Sequence, residues 1–153
     1  MKKSLIAGLI LLIAIVFAAT GASAAGTDES AITRITLGSK ITISGTGATI
    51  NGSDVEITEG GSYSIAGTLK GGVIRVTTLD AVFIELDGAS VKNSDGPVLT
   101  SNGDVTIDLK SWTCSTLANT NYDAEDEVVS VGGNLVIMGS GLLEVLGNYC
   151  SGI

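Results

Sequence analysis

The chain has 153 residues, 16 acidic and eight basic, with a formal charge of −8, 21 glycines and no histidine. Without histidine the usual general base, Ser-His-Asp catalysis and imidazole metal ligation are all excluded. The acidic balance argues against nucleic acid and anionic membrane as partners, and it leaves neutral glycans, cations and cation-bridged polyanions.

In chain order, the first element is a targeting segment. Lys2 and Lys3 form a positive n-region, "SLIAGLILLIAIVFAATG" an apolar h-region, and Ala22-Ser23-Ala24 a small-residue cleavage site. The apolar run approaches the length of a retained anchor, but the A-x-A site and the absence of a stop-transfer charge favour cleavage after Ala24. Residues 1–24 are therefore predicted to be a signal peptide and 25–153 one secreted domain, free of the membrane after cleavage. Losing Lys2 and Lys3 removes two positive charges and no negative one, so the formal charge falls from −8 to −10.

The remainder is rich in Gly, Val, Ile and Thr, has a single proline and shows no sustained helical period, which predicts an all-β fold. Four short strands align by letter: "VEIT" at Val55, "VFIEL" at Val82, "VTIDL" at Val105 and "LVIM" at Leu135, at spacings of 27, 23 and 30 residues. Repeats of this length mark solenoids. Alternation predicts one inward column of Val55, Val82, Val105 and Leu135 and a second of Ile57, Ile84, Ile107 and Ile137. Glu56, Glu85, Thr106 and Asp108 then point outward. Ile65, Val91, Cys114 and Val145 are expected to form a further inward column, and "GGVIRV", "GPVLTS", "EVVSV" and "SGI" begin a third face. Phe83 falls outward, where "ITRITLGSKITIS" is expected to cover it.

Three strands per coil joined by Gly, Asn and Asp turns describe a parallel β-helix of about four coils. Ile153 would be the first inward residue of the third face of the fourth coil. That placement predicts truncation at the C-terminus, or an open coil that a partner or self-association covers. Cys114 is expected to act as a small buried hydrophobe, and Cys150 lies in a turn. An inward thiol does not easily reach a turn thiol, which argues against a disulfide between them.

Candidate chemistry concentrates in the insertion "SWTCSTLANTNYDAEDEVV". Oxygen-bearing side chains at Asn121, Asp123, Glu125, Asp126 and Glu127 have the type and density that a calcium shell of six to eight oxygens requires. The loop is not an EF-hand, because Ala124 and Ser130 replace the glycine and the bidentate glutamate. A solvated acidic loop accounts for the same residues. Trp112 and Tyr122 flank the stretch and are candidates for stacking on sugar C–H faces, although Trp112 could instead cover the core end. No residue is assigned a catalytic role. A lyase-type β-elimination would need a base among Arg75, Lys92 and Lys110, each more often a solvated charge.

The segments "ITISGTGATINGSDVEITEGGSYSIAGTLKGGVIRV", "VFIELDGASVKNSDGPVLTSNGDVTIDL" and "VVSVGGNLVIMGSGLLEVLGNYCSGI" resemble the N-terminal portion of secreted carbohydrate-binding proteins with a calcium-containing, pectate-lyase-like right-handed parallel β-helix. The shared pattern is G-x-Y-x-I-x-G-T-L (Gly61 to Leu69), L-x-G-x-x-V (Leu86 to Val91), and L-x-I-x-G-x-G-x-L-x-V (Leu135 to Val145). The resemblance implies non-catalytic, calcium-assisted binding of cellulose or acidic, uronate-containing polysaccharide, in secreted or cell-surface proteins. It also implies further coils beyond Ile153. Two alternatives stand beside this expectation: a calcium-dependent polysaccharide lyase, and a structural surface or adhesin solenoid.

Overall fold

A computed structural model of the chain describes residues 32–120, 127–147 and 152–153. The signal-peptide expectation, Cys150 and most of the acidic loop lie outside these residues. Among the described residues there is no helix, and the strands wind as a parallel β-solenoid of about four turns.

Strand β1 (Thr33–Leu37) is followed by β2 (Thr42–Ser44), β3 (Ala48–Asn51) and β4 (Asp54–Ile57). From there the chain repeats one motif, a long strand followed by a short one. The long strands are β5 (Gly61–Lys70) and β7 (Val82–Asn93), and the short ones are β6 (Ile74–Val76) and β8 (Leu99–Ser101). In the later coils the long strand is broken in two: β9 (Val105–Leu109) and β10 (Cys114–Asn119), then β12 (Leu135–Gly139) and β13 (Leu142–Gly147), with β11 (Val129–Val131) as the short strand between them.

The solenoid has three faces. The first halves of β5 and β7 pair in parallel with each other and with β1, β9 and β12. The second halves continue with β10 and β13. The third face is β4, β6, β8 and β11, all parallel. The Val129 N–H donates to the Gly152 carbonyl at 3.1 Å, which continues that face at the chain's last residues.

The bend between the first two faces needs unusual backbone. Gly67 (φ 94°) and Gly88 (φ 67°) make it in the first two coils. A Cβ on Gly67 would strike the Leu37 carbonyl, so only glycine lets the chain turn there. At the head, β2 runs antiparallel to β1 and β3 antiparallel to β4. Turning the first strands back limits how much parallel edge is left open for pairing.

The core follows from alternation on every face. Ile35, Ile65 and Leu86 stack in register, as do Val55, Ile74, Leu99 and Val129, and as do Leu69, Val91, Leu117 and Val145. Ile65, Ile74, Ile84, Leu86, Leu99, Ile107 and Leu117 have no exposed surface. Each such aliphatic burial is worth about 1.5–3 kcal/mol against leaving the side chain in water.

Three expectations from the sequence are corrected by this register. Val55 and Ile57 do not join the Val82 and Ile84 columns; they pair with Ile74 and Val76 on the third face, and Gly61 and Tyr63 take the expected places beside Val82 and Ile84. The letter similarity of "VEIT" to "VFIEL" misled because the equivalent inward residue is aromatic: Tyr63 is 2% exposed and its hydroxyl donates to the Glu59 carbonyl at 2.7 Å. Of the expected column of Ile65, Val91, Cys114 and Val145 only Val91 and Val145 belong to it: Ile65 stacks on Leu86 and Leu69 takes its place, while Cys114 is an exposed free thiol opposite Leu142 and Leu117 fills the inward position, because the turn after β9 adds residues and shifts the register. Phe83 does point outward, at 36% exposure, but the N-terminal segment extends the sheet edge through β1 and does not lie across the ring.

Candidate functional site

The corner between the first and second faces changes character in the third coil. From Leu86 to Ser90 in the coil above, three residues make the bend; from Leu109 to Thr116, which pair with them, six residues do so. The extra length forms a projecting turn, Lys110-Ser111-Trp112-Thr113. It is closed by the Thr113 N–H on the Lys110 carbonyl at 3.3 Å and by the Thr113 hydroxyl on the same oxygen at 2.8 Å.

Trp112 occupies the third position of this turn at φ 64°, the only non-glycine among the described residues with positive φ. A left-handed backbone costs a non-glycine residue roughly 1–2 kcal/mol. The expense gives no burial in return, since the side chain is fully exposed. Trp112 therefore does not cover the core. A strained position that displays a large ring to solvent is a feature of functional surfaces.

Trp112 borders an open groove of about 590 Å³ that Ser111, Thr113, Ser140, Gly141 and Leu142 also line. Ser111 and Ser140 hydroxyls lie 2.7 Å apart and tie the turn to the next coil. Leu142 is 58% exposed on the same groove. The arrangement combines an aromatic plate, an apolar side chain and hydroxyls, which together suit a ligand with both C–H faces and hydroxyl groups. Sequence reasoning found Trp112 but not the groove, because Ser140 and Leu142 come from the adjacent coil.

Beside the turn, the outer surface of the first face carries a charged row, with Arg34, Ser64, Glu85 and Asp108 in register on successive strands. The Ser64 hydroxyl donates to Glu85 at 2.8 Å. Lys110 lies 2.6 Å from Asp87 and 3.8 Å from Glu85. Its hydrogen bond to Asp87, helped by both carboxylate charges and opposed by desolvation and by Arg34, raises its pKa above the usual lysine value. It is an ammonium at neutral pH and is not poised to accept a proton. Arg75 is held by Asp54 at 3.2 Å, and a guanidinium does not deprotonate in proteins. Lys92 is exposed on the second face.

Of the expected metal ligands, Asn121, Asp123, Glu125 and Asp126 lie outside the described residues, as does Tyr122. Glu127 is exposed just before β11. Among the described residues, no group of three or more Asp, Glu or Cys side chains is placed to hold a metal ion.

Comparison with known proteins agrees with the fold. The family model of carbohydrate-binding domain-containing proteins matches residues 51–153. A solved structure, that of the polysaccharide lyase-like protein from C. thermocellum as a gadolinium derivative, matches with a TM-score of 0.70 and 22% sequence identity. The match covers 77% of this chain and 53% of that one, so the chain spans about half the length of its structural neighbour. No curated protein matches the sequence.

Proposed function

Because the chain belongs to the family of carbohydrate-binding domain-containing proteins, we propose that it is a non-catalytic polysaccharide-binding module that holds its glycan on the Trp112 turn. The observation that carries this reading is the fully exposed tryptophan at a backbone position that disfavours it. A residue kept there at a cost in stability, over a groove with Ser111, Ser140 and Leu142, suits the stacking of a sugar ring against the indole with hydroxyls at its edge.

The lyase alternative draws on the structural neighbour's description as polysaccharide lyase-like. Against it stand the ion-paired Lys110 and Arg75, which leave two of the three candidate bases committed as cations. Lyase activity on polygalacturonate with calcium is measured by the ultraviolet absorbance of unsaturated product, and none is expected.

Calcium assistance belongs to the same proposal. Asn121, Asp123, Glu125, Asp126 and Glu127 supply oxygens of the kind calcium prefers, and a bound ion would bridge protein carboxylates to a uronate. Export to the cell surface or medium follows from the predicted signal peptide at 1–24. Self-association is supported by the exposed apolar side chains of the last coil, Val136, Ile137, Met138 and Leu146. Retention of the protein on immobilised cellulose and on polygalacturonate, with calcium and with chelator, tests the reading as a whole; failure to bind either polymer in any condition contradicts it.

A further inference from the structure

The head of the solenoid holds a second concavity, remote in sequence from the Trp112 turn. Residues Gly38 to Ile41, between β1 and β2, and Gly52 and Ser53, between β3 and β4, meet the end of β5 there and border an open cleft of about 950 Å³. Its floor is apolar: Leu37 and Leu69 are buried, Ile41 is 9% exposed, and Ile50 stands on the rim.

Lys40 and Lys70 line the same cleft, and both are exposed. Lys92 sits directly opposite Lys70 on the paired strand β7. Like charges in register on neighbouring strands repel. Among the described residues no carboxylate lies within 4.0 Å of any of these three ammoniums, whereas Arg75 has one and Lys110 two. Half of the six cations in the described residues thus gather at one corner of an acidic protein with no carboxylate partner among the described residues. An anion there would relieve the repulsion, and the apolar floor selects one that also carries a hydrocarbon face.

We propose that this cleft is a metal-independent subsite for an acidic sugar unit, its carboxylate held by Lys40, Lys70 and Lys92 and its C–H face on Leu37, Ile41 and Leu69. The inference rests on the polysaccharide-binding reading and narrows it to uronate-containing glycans at this position. Bare ammoniums supply the attraction directly, so no bridging cation is required.

The test is calorimetric titration of the mature protein with oligogalacturonate, with a cello-oligosaccharide and with inorganic phosphate, all in chelator. Oligogalacturonate is expected to bind and to weaken as salt rises. Lys70→Gln with Lys92→Gln, and separately Lys40→Gln, are expected to lower that affinity by about tenfold or more, a loss of about 1.4 kcal/mol. All three lysines are exposed, and an unchanged thermal midpoint verifies folding in each variant. The assignment is overturned if oligogalacturonate binds only with calcium, if the lysine variants bind as the parent does, or if phosphate binds as tightly as the sugar. In those cases binding lost in Trp112→Ala still supports the Trp112 reading, whereas failure of every glycan in every condition removes both.

Discussion

Asn93 and Asn119 stand side by side in register on β7 and β10, both buried, at the corner where the second face of each coil turns toward the third. The Asn93 amide donates to the Pro97 carbonyl at 3.2 Å and more weakly to Gly96 at 3.4 Å, while its carbonyl accepts from the Asp95 N–H at 3.3 Å. One side chain thereby satisfies backbone groups that the turn withdraws from water. Asn93→Ala leaves them unpaired and is expected to cost about 1–3 kcal/mol. Denaturant unfolding checks this, and an unchanged midpoint would mean that solvent supplies the missing partners.

Ile107 has no exposed surface and lies between Ile84 and Ile137 in adjacent coils. Ile107→Ala is expected to destabilise the fold by about 2–5 kcal/mol. The same change at Ile137, which is 41% exposed, should cost clearly less. Equal losses at the two positions would contradict the graded burial along this column.

Tyr63 gives a pH-dependent prediction. Burial, and secondly the Glu59 charge, raise its pKa above 10.0. The folded state therefore favours the neutral phenol; stability is intact below the unfolded-state pKa and declines as pH rises through the folded value. Tyr63→Phe is expected to remove this alkaline contribution, while costing about 0.5–1.5 kcal/mol at neutral pH through the lost hydroxyl bonds to Gly47 and Glu59. Thermal midpoints of both proteins from pH 7 to pH 11 check it, and parallel alkaline declines would show that the phenol is not responsible.

The parallel β-helix was legible because β-branched residues recur at solenoid spacing with glycine-rich corners. The first coil was not, because Tyr63 breaks the aliphatic letter pattern while keeping its inward position. Cys114 was misplaced for a related reason: the residues added at the Trp112 turn move Leu117 into the core. At the site, composition singled out Trp112 as the lone tryptophan. The Ser111–Ser140 link and the Lys70–Lys92 pair needed the register, since each joins residues of different coils.

On the polysaccharide-binding proposal, the strained turn presents an aromatic plate to a glycan. Removing the indole should therefore separate binding from stability. Trp112→Gly relaxes the left-handed backbone and exposes no new core, so it is expected to be as stable as the parent or up to roughly 1–2 kcal/mol more stable. The decisive measurement is affinity electrophoresis of the parent and Trp112→Gly through gels containing soluble cellulose derivative or polygalacturonate in calcium. The parent is expected to be retarded by at least one of these polymers, and the variant, equally well folded, to migrate nearly as in a gel without polymer. Equal retardation of the two proteins, or no retardation of the parent by either polymer, would contradict the proposal.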